Sequence, residues 1–360
     1  MSDADHRFMS RALALAERGL FSTDPNPRVG CVIVKGGNII ADGWHERAGG
    51  PHAETVALEN AGLEAKGATA YVTLEPCTHH GRTPPCADAL INAGVARVVA
   101  ATLDPSPEAG GGLEKLATAG IETDSGVCEA ESRALNRGFF SRFERGRPHV
   151  TIKMAMSLDG HTAMASGESK WITSEAARAD VQSLRARSSA ILTGIGTVLA
   201  DDPRLSVRLN GAPRQPMRVV IDRELRCPLA ARLLNGDAEV VIFTGAEAAP
   251  VSGFEQAHVR VERVDETSGR LNLDAVLRKL ATEGVNEVLV EAGPGLCGAL
   301  IEQKLVDELV IYVAPNLMGD SARGLFHLPG IERLDQRVEL DIQDICAIGP
   351  DWRITATFEG

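Results

Sequence analysis

Short apolar runs alternate with helix-patterned stretches along this chain, and the alternation happens twice, with one break between. An amphipathic N-terminal stretch places Phe8, Ala12, Leu15 and Ala16 on one face. The strand-like run "RVGCVIV" follows, then a turn at Gly36-Gly37 and a second run, "IIADGWH". After this hairpin come a helix at "AETVALENAG", a strand at "ATAYVTL", a helix at "CADALINAG", a strand at "RVVAAT" and a helix at "LEKLATAG". This order predicts a layered α/β sheet with helices on its faces. The stretch "FFSRFERGRPHV" breaks the pattern: it is charged, carries Gly146 and Pro148, and runs straight into a new strand. We therefore expect two domains, residues 1–145 and 146–360. In the second, "HVTIKMAM" is a strand, and "SEAARADVQSLRARS" is a helix with Ser174 as its N-cap. The strands "AILTG", "MRVVID" and "AEVVIFT" precede the helix "DAVLRKLATEG". The strand "NEVLVEAG", the helix "CGALIEQ" and the strands "VDELVIYVAP" and "WRITATFE" complete a second α/β unit.

Composition narrows the class of partner. A length of 360 residues suits two domains, and a hydrophobic content of 44% supplies a core for each. No window reaches the eighteen or so consecutive apolar residues of a membrane span. The mixed-charge N-terminus lacks the basic start and apolar block of a signal peptide, so the expectation is a cytoplasmic protein with no membrane partner. A formal charge of −12 and only 4% aromatics argue against nucleic acid. They leave room for a small anionic substrate held by local Arg and Lys residues. The seven cysteines are odd in number and scattered, unlike a secreted disulfide framework. Cys31 and Cys297 lie in apolar runs and read as buried thiols; only Cys77 and Cys86 have neighbours that suggest chemistry.

Those neighbours form "PCTHHGRTPPC", Pro76 to Cys86. A closed structural Cys2His2 site is one reading. Consecutive His79 and His80 diverge, however, and the spacing is not that of structural fingers. The other reading takes a ligand from "PHAE" upstream: His52, with Glu54 two residues on, at the start of a helix. His-x-Glu followed by Pro-Cys and a second Cys is the zinc-deaminase order. It assigns one Zn2+ per chain to His52, Cys77 and Cys86, with Glu54 as the proton carrier. Three protein ligands leave a fourth position for a water that the metal acidifies. The helix opening at Cys86 favours its thiolate. The eight residues between Cys77 and Cys86 exceed the usual Cys-x-x-Cys, so the loop "THHGRTPP" must bulge away and return. It carries His79 and Arg82 beside the metal, free for substrate.

Together "PNPRVGCVIV", "PHAETVAL" and "TLEPCTHHGRTPPC" closely resemble the bifunctional deaminase/reductase family of riboflavin biosynthesis, whose deaminase half shares the long cysteine spacing. The second half resembles the family's reductase through "KMAMSLDGHTA", "SGESKWITS", "TVLADDPRL" and "VEAGPGL". The resemblance implies a cytidine-deaminase-like N-terminal domain and a dihydrofolate-reductase-like C-terminal domain. It also implies two consecutive reactions: deamination of 2,5-diamino-6-ribosylamino-4(3H)-pyrimidinone 5′-phosphate, then NADPH reduction of ribosyl to ribityl. By the same resemblance Ala155, Trp171, Thr197, Asp201 and the run Gly293, Pro294, Gly295, Leu296, Cys297, Gly298 and Ala299 line the cofactor. Ser169, Arg185, Leu205, Arg208 and Glu291 line the substrate, with the two arginines as natural phosphate partners. The residues alone offer a second reading for Arg185, a solvated helix face.

Main-chain amides where "NEVLVEAG" enters "GPGL" and a helix suit a pyrophosphate. Asn26 and His45 fall where a pyrimidine and its ribose could be touched, although Asn26 between two prolines also fits a turn. No residue of the reductase half reads as a proton donor; Lys153 and Asp159 are candidates for positioning only. The segment "DPSPEAGGG" departs from the family, where a longer Asn-bearing loop is usual. A homo-oligomer, paired through the reductase domain, is expected. The competing reading is a deaminase of another base or nucleoside fused to a silent reductase-like domain.

Overall fold

The computed structural model describes residues 2–79, 84–246, 248, 253–254, 256–267 and 269–358. The chain forms two compact units, Met1–Gly146 and Arg147–Gly360.

The first unit opens with helix α1 (Asp3–Ala16), closed by a capping box in which Ser2 accepts the Asp5 N–H and Asp5 accepts the Ser2 N–H. Strands β1 (Gly30–Lys35) and β2 (Asn38–Trp44) form a hairpin whose turn places Gly36 and Gly37 at positive φ, a conformation that side chains resist. Helix α2 (Ala53–Ala61), strand β3 (Thr69–Val72), helix α3 (Cys86–Ala93), strand β4 (Arg97–Ala100), helix α4 (Gly112–Thr118) and strand β5 (Glu122–Ser125) follow. The sheet order is β2-β1-β3-β4-β5, antiparallel through β1 and parallel from β3 to β5.

Both faces of this sheet are covered, which is why "VGCVIV" is apolar without alternation. Cys31 and Ile33 face the cluster of Ala53, Ala57 and Leu90 from α2 and α3. Val32 and Val34 face Phe8 and Met9 of α1. Gly43 on β2 allows α2 to lie close, because a Cβ there would stand 2.6 Å from the Ala57 nitrogen. The charged stretch after β5 is helical up to the division between the units: α5 (Glu129–Leu135) and α6 (Arg137–Arg145) precede Gly146. Phe139 and Phe140 pack on Leu74, and the guanidinium of Arg133 covers the Phe140 ring at 4.2 Å. Arginines here shield rings, so charge hid the helix.

The second unit runs β6 (His149–Ser157), β7 (His161–Ala163), α7 (Glu175–Arg187), β8 (Ala190–Gly194), α8 (Ile195–Asp201), β9 (Met217–Ile221), β10 (Val240–Thr244), β11 (Val259–Arg263), β12 (Glu266–Thr267) and β13 (Arg270–Leu271). It continues with α9 (Leu273–Thr282), β14 (Glu287–Val290), α10 (Pro294–Glu302), β15 (Glu308–Ala314), β16 (Arg323–Gly324), β17 (Leu340–Ile348) and β18 (Asp351–Phe358). Its main sheet has nine strands in the order β11-β10-β9-β8-β14-β6-β15-β18-β17. All pairs from β11 to β15 are parallel, and β18 and β17 add antiparallel. Ser174 caps α7 by accepting the Ala177 N–H, as its sequence position predicts.

Strand β17 was not expected. A bulge between Ile342 and Asp344 shifts its alternation by one residue, and as the edge strand it is exposed along most of its length. In open parallel sheets, ligands gather beyond the carboxyl ends of the strands. Here Glu291, Asp222 and the start of α8 lie at those ends.

Candidate active sites

In the first unit two helix starts meet. His52 is the N-cap of α2, and Cys86 is the first residue of α3. His52 Nδ1 lies 3.2 Å from Cys86 Sγ and 3.5 Å from Cys77 Sγ, and the Cys86 N–H donates to Cys77 Sγ at 3.4 Å. All three donor atoms fall within 4.8 Å of one another. A tetrahedral zinc, with bonds of about 2.0–2.3 Å, separates its ligands by roughly 3.5–3.8 Å, so this donor set fits the ion. The imidazole turns Nδ1 toward the sulfurs.

The electrostatics match the donor chemistry. A hydrogen bond from Cys86, helped by His52, draws the Cys77 thiol down to about 4. The Cys86 thiol moves the other way, pushed up first by its bond to Cys77 and then by burial. Contact with Cys77 raises His52. Glu54 is buried in the first turn of α2, and that burial lifts its carboxyl to about 7, with the neighbouring Cys77 charge adding to the rise. A carboxyl balanced near neutrality can both take and give a proton.

Asn26 and His45 join this site. The His45 Nδ1–H donates to the Pro51 carbonyl at 2.8 Å, which leaves Nε2 to accept from Asn26 Nδ2 at 3.1 Å. Burial lowers the His45 pKa, consistent with a neutral ring, and this ring meets that of His52 edge-on at 5.5 Å. Asn26 also closes a turn, its N–H donating to the Thr23 carbonyl, as its place between two prolines predicts. His79 is exposed at the rim. Arg82 lies outside the described residues.

Sequence reasoning passed over Glu75 and Asp104. Buried Glu75 accepts the N–H groups of Asp104 and Leu113 and so ties segment 104–113 behind the ligand loop. Burial pushes Asp104 up to about 6, in the field of Cys77 and His79. Gly112 passes so near Pro76 that a Cβ would overlap its carbonyl oxygen. The only available signal was the Glu directly before Pro-Cys.

In the second unit the predicted residues divide. Glu291, just past β14, receives Arg185 from α7 in a two-pronged contact, Nε to Oε1 at 2.6 Å and Nη2 to Oε2 at 3.0 Å. Lys153 of β6 stands 3.3 Å from the same carboxylate. Burial alone would raise Glu291; Lys153 and then Arg185 override it and hold the group near about 2. Arg185 is thus buried, which removes the solvated-face reading. Its guanidinium is also spent on Glu291 and the Ser206 carbonyl, which weakens its case as a phosphate partner. Arg208 is exposed, with its backbone N–H fixed by Gln182. Burial, then repulsion from Arg185, lowers the pKa of Arg208. Leu205 is buried at a positive φ of 48°, and Ser169 is half-buried.

Asp201 closes α8 and pairs with Lys170 at 2.9 Å; Thr197 lies one turn earlier. Trp171 is 71% exposed, with the Arg178 guanidinium 4.6 Å from its ring centre. Ala155 packs beside Ala177 and Tyr312. Asp159, the other positioning candidate, accepts the N–H groups of Met318 and Gly319 and anchors that loop.

The run 293–299 splits as well. A Cβ at Gly293 or Gly295 would meet nothing within 4 Å, so this start of α10 borders open space. Cys297 is buried, its Sγ 3.7 Å from Met154 Sδ, and Gly298 is pressed against the His327 carbonyl. Both positions are packed against protein on these sides.

A sheet with zinc donors at two helix starts, joined in one chain to a parallel sheet with a glycine-rich helix start, defines a metal-dependent deaminase coupled to a nucleotide-dependent reductase. Residues 2–102 match the cytidine and deoxycytidylate deaminase zinc-binding region, and residues 148–354 match the RibD C-terminal domain. The riboflavin biosynthesis protein RibD of Escherichia coli K12 is 50% identical over 96% of this chain and 97% of its own length. That of Haemophilus influenzae is 47% identical over 100% and 99%. Among solved structures, Acinetobacter baumannii RibD superposes with a TM-score of 0.92 at 44% identity, covering 99% of each chain. A Thermotoga maritima diaminohydroxyphosphoribosylaminopyrimidine deaminase/5-amino-6-(5-phosphoribosylamino)uracil reductase gives 0.86 at 35%, again covering 99% of each. The chain belongs to the RibD family, the bifunctional deaminase/reductases of riboflavin biosynthesis. Among the described residues no helix is long and apolar enough to cross a membrane.

Proposed function

We propose that residues 1–145 deaminate 2,5-diamino-6-ribosylamino-4(3H)-pyrimidinone 5′-phosphate and that residues 146–360 reduce the product's ribosyl chain to ribityl with NADPH. The observation that carries the deaminase assignment is the convergence of His52 Nδ1, Cys77 Sγ and Cys86 Sγ beside a buried carboxyl balanced near neutrality. Those three residues would hold one zinc, which would supply a water ionisable near neutral pH. Glu54 would take one proton from the attacking water and deliver it to the ring nitrogen, then take the remaining hydroxyl proton of the adduct and pass it to the departing amine, which leaves as ammonia. Asn26 donates its amide N–H to His45, which leaves its carbonyl oxygen for the pyrimidine. We assign His79 to the substrate, together with Arg82 of the same stretch of sequence.

In the reductase half, NADPH supplies the hydride when bound, and the chain's task is alignment. The amides at the start of α10 receive the pyrophosphate, supported by the open space at Gly293 and Gly295. Ala155, Trp171, Thr197 and Asp201 border the same cofactor. Glu291 holds Arg185 and Lys153 in fixed positions against the substrate, and exposed Arg208 is the better phosphate partner of the two arginines. Two copies pair through the edge of the reductase sheet, a reading supported by exposed Leu340, Ile342, Ile345 and Trp352 on β17 and β18. Seven free cysteines suit a reducing cytoplasm.

The test follows ammonia release and NADPH oxidation together, with Glu54→Gln as control. Wild type should do both, and the variant should retain zinc yet release no ammonia. Ammonia without NADPH oxidation, even with deaminated product supplied, would assign the second half another task.

A further inference from the structure

Helix α7 carries much of the second site, yet little apolar surface holds it in place. Its buried positions are Ala177, Val181, Gln182, Arg185 and Ala186, so the largest apolar side chain among them is a valine. Ala177 and Val181 pack on Val310 and Tyr312 of β15. So small and smooth a contact gains similar dispersion in several registers and does not by itself select one. The site needs one register. Arg185 must reach Glu291, and Gln182 Oε1 accepts the Arg208 N–H at 2.9 Å.

Polar ties from β15 and from the C-terminal hairpin of β17 and β18 supply it. At the start of α7 the Ser174 N–H donates to Asp351 Oδ2 at 2.8 Å, and Asp351, the first residue of β18, is buried. Gly349 in the hairpin turn lies so near the helix that a Cβ there would stand 2.9 Å from the Ala176 Cβ. In the middle of α7, Asp180 Oδ2 accepts the Tyr312 hydroxyl at 2.6 Å and Arg353 Nη1 at 3.0 Å. Arg353 in turn reaches Asp344 of β17 at 3.4 Å. The bulge in β17 allows this, because it pairs Asp344 with Thr355, on the same face of β18 as Arg353. Charge-assisted bonds of this kind are directional, so they hold one register where apolar contact would permit several. The proposed chemistry uses none of these four side chains.

We propose that Asp180, Tyr312, Asp351 and Arg353 are positioning residues for the reduction: they lock α7 to the C-terminal hairpin and thereby hold Arg185 on Glu291. The proposal rests on the reductase reading of the second unit. Kinetics of the full-length protein with deaminated product and NADPH test it, with ammonia release by the first unit as control. Asp180→Asn and Asp351→Ala should each lower kcat of reduction by about tenfold, the scale of a slight misplacement of reacting groups, and leave ammonia release within about twofold. Tyr312→Phe removes one bond and keeps the shape; it should show a smaller loss in the same direction even where a charge variant misfolds. Asp351→Asn keeps an oxygen for the Ser174 N–H and should restore most of the rate. In an Arg185→Ala background, Asp180→Asn should cost little more, because both act through one contact. Fluorine NMR of 5-fluorotryptophan protein gives a readout apart from activity. The signal of Trp171, just ahead of the Ser174 cap, should shift in Asp351→Ala while that of Trp44 stays. Reduction rates within about twofold of wild type, additive losses in the Arg185→Ala background, or an unmoved Trp171 signal overturns the proposal and leaves the reductase reading standing. If wild type oxidises no NADPH, the reductase reading falls, and this proposal with it.

Discussion

Glu291→Gln is the most informative single change in the second unit, because it alters charge without altering shape. The carboxylate is about 11% exposed and meets Arg185 at 2.6 Å and Lys153 at 3.3 Å. A carboxyl held from the ordinary 4.5 down to about 2 corresponds to about 3 kcal/mol of preference for the charged state in the fold. Removing the charge strands two buried cations, so the total cost should reach about 3–5 kcal/mol at pH 7. Urea unfolding followed by tryptophan fluorescence measures it, since Trp171 and Trp352 both report on this unit. A folded pKa lying below the unfolded one contributes stability that is complete above about pH 4.5 and is lost as pH falls toward 2. The gap between wild type and Glu291→Gln should therefore be widest at neutral pH and shrink below pH 4.5. Lys153→Met in the Glu291→Gln background should cost less than in wild type, because the pair is coupled. A neutral-pH loss under about 0.5 kcal/mol, or additive single changes, would refute the claim that this carboxylate organises the cluster.

Four further outcomes follow from the same kind of reasoning. Asp5 is buried and bonded to Tyr71 at 2.8 Å and Arg97 at 2.9 Å, so Asp5→Asn should cost about 2 kcal/mol at pH 7. Arg97, with its other contacts, holds the Asp5 carboxyl well below the usual range, so this contribution should be present above about pH 4 and fade in acid; urea melts across pH 3–7 check it. Gly43→Ala should push α2 off β2 at about 1–3 kcal/mol, lowering zinc content and ammonia release while NADPH oxidation of supplied product persists. Cys86→Ala should abolish stoichiometric zinc by elemental analysis, without touching NADPH affinity. Ile345→Lys should convert a dimer to monomer in sedimentation experiments; an unchanged mass would remove the β17 edge from the interface.

The deaminase site was legible because its chemistry is written in residue types. His52, Cys77 and Cys86 are metal-ligand types in the zinc-deaminase order, and the strand between them is enough to bring the two helix starts together. The supporting residues were less visible. Glu75 and Asp104 act through backbone amides and burial, and neither property has a sequence signature. The unbroken apolar run "VGCVIV" made the sheet layers readable, since a strand covered on both faces must be apolar on both. The same logic failed at β17, where one bulge moved every later side chain to the other face, and at α6, where guanidinium groups lie over phenylalanine rings.

The reductase cluster shows a different limit. Arg185 and Glu291 are 106 positions apart, and each taken alone invites a ligand. Family likeness assigns both to the substrate, but the structure gives them first to one another. That pairing changes what the site can do. A guanidinium already held at two oxygens offers a phosphate only its remaining N–H groups, whereas Arg208, exposed and repelled by Arg185, has no comparable carboxylate partner among the described residues and gains by meeting an anion. The phosphate should therefore depend on Arg208 more than on Arg185. Arg208→Ala should raise KM for the phosphorylated substrate at least tenfold with kcat little changed, since it removes binding common to ground and transition states. Arg185→Ala should lower kcat as well, because it frees Glu291 and lets Lys153 move. If the two variants show the same KM and kcat pattern, Arg185 contacts the phosphate directly, and its bond to Glu291 yields when substrate arrives.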